Sequence, residues 1–199
     1  MTLSSSLVDF NSIQALDRAV VLAVNGTHTP LLDAVMTFAS DRNVWYPFYA
    51  LLIAYLIFLY RQRALFLLPL LIGAVSLADL ITSRLFKPYF GRLRPCHEPG
   101  LRELLHLPDG CGGQFGFLSS HASNSMALAV FLLLALPPRR FLWLQLLVFA
   151  WALLLSYSRL YLGAHYLTDV LGGALVGALL AFGATKAFHR LSAPRPPQA

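Results

Sequence analysis

Charge is what this sequence has least of. Only 12% of its 199 residues are Asp, Glu, Lys or Arg, against ~25% in soluble domains. With 57% hydrophobic residues and apolar runs long enough to cross hydrocarbon, an ordinary soluble domain is excluded and a membrane protein is indicated. Cysteine is scarce as well. Cys96 and Cys111 are the only two, too few for a zinc site and at a spacing that matches no common zinc pattern. Both fall in one polar stretch. They pair as a disulfide if that stretch faces an oxidising compartment; otherwise they are two unrelated small residues. Residues 1–9 lack a basic region, an apolar core and a small-residue cleavage site, so no signal peptide is expected. There is no basic stripe suited to nucleic acid. The net charge is +6, and the cations sit at the ends of apolar runs and in short clusters, which suits lipid headgroups or phosphate.

What is present is a series of apolar runs. Residues 11–24 are moderately amphipathic, with Ile13, Leu16, Val20, Val21 and Val24 apolar beside Asp17 and Arg18, and Asn25-Gly26 breaks the pattern. Residues 31–39 are a second short apolar piece. Neither reaches the ~20 residues a crossing needs. They are expected to be two helices in the interface, or else one broken span. Five runs then qualify as spans: 44–60, 64–86, 118–136, 141–157 and 166–188. The expected fold is an all-α polytopic membrane bundle with five transmembrane helices, or six with the broken span. It forms one domain over residues 1–191, and the proline-containing tail 192–199 is expected to be disordered.

Orientation follows from the short turns. Arg61-Gln62-Arg63, Arg139-Arg140 and the Lys186/Arg190 end share one side of a five-span chain, and the positive-inside rule makes that side cytoplasmic. The polar stretch 87–117 and the short loop 158–165 then share the outer side. Lys87, Arg92, Arg94 and Arg102 lie there against the rule, which suggests that they serve an anionic ligand.

Three clusters on that outer side carry chemistry. Lys87 offers a mobile point charge and Arg94 a rigid fork that fits phosphate oxygens; snorkelling of long cationic chains accounts for single residues such as Arg84 but poorly for the whole group. Ser119 and Ser120 open an apolar run, where a helix start favours anions, although a serine there is equally an N-cap. His121 follows, either as a proton donor or as a histidine bonded to a backbone carbonyl. Last come Arg159, His165 and Asp169. On a helix, four residues of separation would stack Asp169 against His165. Phosphoryl transfer needs this combination of cations, a nucleophile and an acid for the leaving oxygen. Asp79 lies at helical spacing from Ser83 and Lys87 and either steadies Lys87 or, preferably, makes an interhelical hydrogen bond. His97, Glu98 and His106 are expected to be solvated rather than catalytic. Aromatic residues such as Tyr89, Phe90, Phe117 and Tyr166 form either a rim for a lipid tail or an ordinary interfacial belt.

Taken together, Lys87-x6-Arg94-Pro95, Ser119-Ser120-His121 and Ser158-Arg159-x5-His165-x3-Asp169 resemble the three-part signature of the type 2 phosphatidic acid phosphatase superfamily. That superfamily includes membrane lipid phosphatases, glucose-6-phosphatases and soluble vanadium haloperoxidases. The match covers 87–169, and three motifs in order form a specific signal where one would be weak. Two departures stand out. The second motif usually reads Pro-Ser-Gly-His, so Ser120 replaces a glycine. Members also often have six spans.

The resemblance implies that His165 is the nucleophile and forms a phosphohistidine, that Asp169 fixes its tautomer, and that His121 is the general acid. It implies that Lys87, Arg94, Ser119, the Ser120 N–H and Arg159 hold the phosphoryl oxygens. Neither metal nor cofactor is expected, because the cations take the metal's place. A bell-shaped pH profile is expected, since one histidine must be neutral and the other protonated. The partners are a membrane lipid phosphate and the bilayer, with no nucleic acid. The site would face the outside of a bacterial inner membrane. Resemblance to small bacterial members points to undecaprenyl diphosphate, with phosphatidylglycerol phosphate, phosphatidate and lipid A 1-phosphate as alternatives. A vanadate haloperoxidase is disfavoured by the spans. A non-catalytic protein that binds or transports anionic lipid is the rival of another class.

Overall fold

The computed structural model describes residues 10–192. The expectations for the first nine residues and for the tail beyond Ser192 lie outside them. Eight α-helices make up the described chain: α1 Phe10–Asn25, α2 Pro30–Ser40, α3 Tyr46–Tyr60, α4 Ala64–Leu80, a short α5 Lys87–Phe90, α6 Ser120–Ala135, α7 Pro138–Tyr161 and α8 Leu167–Ser192. Among the described residues there is no strand, only a single bridge between Leu93 and Phe115.

Each of the five runs expected to span is helical. The stretch Arg42–Phe90 is apolar over 49 residues, but Arg61 breaks it with a left-handed φ of 49°. The chain folds back there, so that Leu52 of α3 and Leu71 of α4 join one core. The other two stretches long and apolar enough to cross are Pro138–Tyr161 and Leu167–Ser192, while α6 falls in the shorter class. Its 16 residues rise ~24 Å. It is also the most enclosed helix, with Ala127, Phe131 and Leu132 fully buried. Helices α7 and α8 keep leucines such as Leu146, Leu153, Leu175 and Leu179 exposed. Helices apolar on every face fit a lipid surround.

The close seam of the bundle is α6 against α8. A Cβ added to Gly173 would collide with the Ser119 carbonyl, and one on Gly177 with the Ser123 carbonyl. Two small residues one turn apart let the backbones touch. The start of α6 is thereby set beside the start of α8, and Ser119 N–H donates to the Asp169 carbonyl at 3.0 Å.

The two N-terminal helices meet at 118°, a bend compatible with a broken span as well as with two separate helices. Both pack on the ends of the long helices that carry Arg159 and Asp169, the end expected from the basic turns to face outward and called the outer end on that basis. Asn25 Nδ2 donates to the Tyr161 carbonyl at 2.7 Å, and Tyr161 Oη donates to Asp33 at 2.7 Å. Helix α7 runs to Tyr161, further than the sequence reading, so Ser158 and Arg159 sit in its last turn rather than in a loop. In the same way the helix expected to stop near residue 86 continues through a π-helical segment, Ile81–Phe86, into α5. Lys87 is therefore helical, and the outer loop begins at Gly91, whose φ of 56° ends the helix.

Candidate active site

His165 and Asp169 do not stack along one helix. Gly163, with φ 62°, turns the chain after α7, and His165 lies in the link before α8. Asp169 is in the first turn of α8. Its carboxylate reaches back, and Oδ2 accepts the Tyr166 N–H at 2.9 Å, satisfying a free donor at the helix start. The same Oδ2 faces His165 Nδ1 at 3.6 Å. That is too long for a hydrogen bond, and Nδ1 has no other partner. Both side chains are enclosed, at 1% and 0% exposure.

Three cations converge on the His165 ring. Burial, then Arg159, Arg94 and Lys87, hold its pKa well below the usual imidazole value, against a smaller pull from the Gly116 carbonyl. The ring is therefore neutral and able to act as a nucleophile. Each cation is held by protein. Arg159 Nη1 donates to the Ser40 hydroxyl at the end of α2, while its Nε is buried without a partner. Arg94 Nε donates to the Phe115 carbonyl at 3.2 Å, and its guanidinium lies so near Gly112 that a side chain there would meet Nη1 at 2.7 Å. Burial lowers the Arg94 pKa, partly offset by Asp169. Lys87 Nζ donates to Ser120 Oγ at 3.1 Å, and Thr82 Oγ1 lies 2.9 Å from the same hydroxyl.

The second motif is placed beside them. Ser119 is the N-cap of α6, its Oγ accepting the Ala122 N–H at 3.4 Å. His121 Nε2 is 3.2 Å from the Ser40 carbonyl. Ser40 thus touches His121 with its backbone and Arg159 with its side chain. All eight candidate residues, Lys87, Arg94, Ser119, Ser120, His121, Arg159, His165 and Asp169, gather at the outer end of the bundle.

Several residues at this end were not singled out as site residues from the sequence. Arg92 donates from Nη1 to Asp169 Oδ1 at 2.8 Å and from Nη2 to Asp17 Oδ2 at 2.6 Å. Ser40, Thr82 and Thr168 hold partners already named. One signal was available. Asp17 falls inside the apolar stripe Ile13, Val20, Val21 and Val24 of α1, where an acid is out of place unless it is paired; it is 1% exposed. The loop residues expected to be solvated rather than catalytic stay partly exposed, and each also meets a protein partner. Glu98 accepts from Arg18 and from Tyr166 Oη, His106 Nε2 pairs with Asp33 at 2.9 Å, and His97 lies 2.8 Å from the Gly112 carbonyl. Cys96 and Cys111 are joined as a disulfide, with Cα atoms 5.8 Å apart. Asp79 takes the interhelical option and accepts from Asn124 at 3.0 Å.

Two cavities share Tyr49, Asn124 and Trp151 in their walls, and one of them is lined by His121. A cavity of 160 Å³ is lined by Arg42, Asp79, Ser120 and His121 with Tyr49 and Trp151. Tyr49, Asn124 and Trp151 also line a 310 Å³ apolar cavity that continues between α3 and α4 past Leu52, Leu71 and Val75.

Comparison with known proteins agrees with this geometry. The family model for the PAP2 superfamily matches residues 64–193. Lipid A 4'-phosphatase of Bacteroides thetaiotaomicron is 35% identical over 188 residues, covering 91% of this chain and 82% of that protein. The undecaprenyl-diphosphatase of Sulfolobus acidocaldarius is 29% identical over 169 residues, 80% of this chain and 72% of that protein. The crystal structure of the PAP2-type phosphatidylglycerolphosphate phosphatase from Bacillus subtilis superposes with a TM-score of 0.68 at 27% identity, covering 94% of this chain and 92% of that one.

Proposed function

The chain belongs to the PAP2 superfamily and is an integral membrane lipid phosphatase; from that premise we propose that it hydrolyses a phosphate monoester of lipid A at the extracytoplasmic face, with His165 as nucleophile. The observation that carries the chemistry is the gathering of Lys87, Arg94 and Arg159 around one buried imidazole backed by Asp169. Cations placed for the phosphoryl oxygens stabilise the charge that spreads over them in the transition state.

In the proposed sequence His165 Nε2 attacks phosphorus while the bond to the lipid oxygen breaks. His121 gives that oxygen its proton. A P–N bond now joins phosphate to His165. Water then attacks phosphorus, His121 takes its proton, and phosphate leaves with Nε2 restored. Asp169 serves by holding the proton on Nδ1, so that Nε2 keeps its lone pair. The 3.6 Å gap has to close for this, and catalytic hydrogen bonds often tighten only once substrate is bound. Lys87, Arg94, Ser119, Ser120 and Arg159 are assigned to the phosphoryl oxygens. The apolar cavity between α3 and α4, which shares Tyr49, Asn124 and Trp151 with the smaller cavity at His121, suits a lipid tail. The outward orientation is supported by the opposite end, where Arg61, Arg63, Arg139 and Arg140 cluster.

The substrate follows the 35% identity with a lipid A 4'-phosphatase. Undecaprenyl diphosphate is the second reading, favoured by the 29% identical diphosphatase. Phosphate release by purified protein in detergent, from lipid A, undecaprenyl diphosphate, phosphatidylglycerol phosphate and phosphatidate side by side, separates them. Lipid A is expected to be cleaved fastest, and His165→Ala is expected to lose about 10⁴-fold or more. Equal release by wild type and His165→Ala ends the assignment of the nucleophile.

A further inference from the structure

One guanidinium brings the N-terminal helix into the site. Arg92 Nη1 donates to Asp169 Oδ1 at 2.8 Å and to Thr168 Oγ1 at 2.7 Å. Its Nη2 donates to Asp17 Oδ2 at 2.6 Å. Asp17 Oδ1 in turn accepts the Thr168 N–H at 2.9 Å, and the Thr168 hydroxyl donates to Asp17 Oδ2. Arg92 also lies 4.2 Å over the Tyr166 ring. Two carboxylates with 1% and 0% exposure therefore share one cation.

Stability alone is a poor explanation for this arrangement. Buried ion pairs are often replaced by apolar groups of similar size at no cost, and position 17 already lies within an apolar stripe. What the network does achieve is direction. Asp17 grips the guanidinium on one nitrogen, Thr168 and Asp169 on the other, and Tyr166 covers it. Oδ1 of Asp169 is then committed to Arg92, and Oδ2 is left for the Tyr166 N–H and the His165 ring.

We propose that Asp17 is a positioning residue for phosphoryl transfer: from α1 it fixes Arg92, and Arg92 fixes the Asp169 carboxylate behind the His165 ring. This rests on the reading of His165 and Asp169 as the nucleophilic pair. Partners of this kind, which act on a reacting side chain through its own hydrogen bonds, are worth about 10–100-fold in activity.

The test is steady-state phosphate release by the full chain in detergent, on whichever lipid of the panel wild type cleaves fastest. The variants are Asp17→Asn, Arg92→Met, the two combined, Thr168→Val and His165→Ala. Asp17→Asn keeps the shape and an acceptor for Thr168 N–H, and is expected to lower kcat about tenfold with KM unchanged within about twofold. In the Arg92→Met background it is expected to add nothing, because its effect travels through the missing guanidinium. If Asp17→Asn does not elute as a folded protein, Thr168→Val carries the test, with a smaller loss of kcat alone. Near-normal kcat in Asp17→Asn beside a dead His165→Ala overturns the proposal. So do losses that multiply in the double variant, as independent damage to α1 docking would. An active His165→Ala overturns the catalytic pair itself, and the proposal with it.

Discussion

The two ends of the bundle use the same residues for different purposes. At the inner end Arg61, Arg63, Arg139, Arg140, Lys186 and Arg190 are all exposed. No acid occurs in the segments 59–64, 135–142 or 185–192, and every arginine–carboxylate pair among the described residues lies at the outer end. At the outer end Arg92 is shared by two carboxylates, Arg159 is buried against Ser40, and Lys87 is held by Ser120. Exposed cations keep their hydration and need only be on the correct side of the membrane. Buried cations have lost water, and that loss is tolerable only where partners or a ligand replace it. Charge count alone does not distinguish the ends; desolvation does.

The sharpest way to break this contrast is at Arg159, whose Nε is buried without a partner. A donor left open in that setting is costly unless a substrate oxygen fills it. Arg159→Gln is expected to lower kcat about 10²–10³-fold, the usual loss for one transition-state donor. A loss confined to KM would instead assign Arg159 to ground-state binding.

The pH profile comes next in size. Burial and the three cations hold His165 below its usual value. A lowered pKa keeps the ring neutral as pH falls and delays its protonation, so activity survives to lower pH than for a free imidazole. The acid limb of kcat/KM assigned to His165 is therefore expected below pH ~6.5. A limb at pH 7 or above would show that the outer cations do not act on the ring. A rate flat from pH 5 to 9 would contradict the two-histidine scheme altogether.

Smaller again is the effect of restoring the family's glycine. Ser120 Oγ holds Lys87 Nζ at 3.1 Å, and a hydrogen bond to a charged group contributes about 1.5–3 kcal/mol. Part of that is recovered when Lys87 binds phosphate instead, so Ser120→Gly should reduce kcat/KM about tenfold at most. Measured against several lipid phosphates, the drop is expected to be the same for each, because Lys87 meets the phosphoryl group and not the tail. An unchanged rate would mean that the serine is an incidental replacement.

How much of this could be seen beforehand depends on the range of the interaction. The helices were legible because each apolar run is a local property. So was the grouping of Lys87, Arg94, Ser119, Ser120, His121, Arg159, His165 and Asp169, since helix direction alone puts their segments at one end. Four-residue spacing of His165 and Asp169 implies a helical register, which Gly163 removes by ending α7. Arg92 stands out as a cation against the positive-inside rule, but its partner Asp17 lies 75 positions away, and nothing local links them. Asp17 itself was visible as an acid in an apolar stripe, a conflict between residue and position that marks a buried pair. Loop composition says nothing about the partners that Glu98 and His106 meet, Arg18 of α1 and Asp33 of α2.

The inner end supplies the smallest expected effect and the control for all the others. Arg63 and Arg140 line a cavity of 500 Å³ with Tyr60, Phe141, Phe188 and His189, so this end also offers cations beside a hollow. It lacks a buried nucleophile and any enclosed cation. Arg63→Gln combined with Arg140→Gln removes two positive charges, as many as Arg159→Gln and Lys87→Met together remove from the outer end. If orientation is their task, purified double variant in detergent should match wild-type kcat/KM within about twofold, because surface charges far beyond a Debye length of ~8 Å are screened from the site. The same variant made in cells should show more chains inserted the wrong way round, read by protease access to the outer loop, because the remaining inner charges hold the orientation less firmly. A loss of activity in detergent comparable to that of Arg159→Gln would mean that the ends are coupled, and that desolvation is not what separates a working cation from an orienting one.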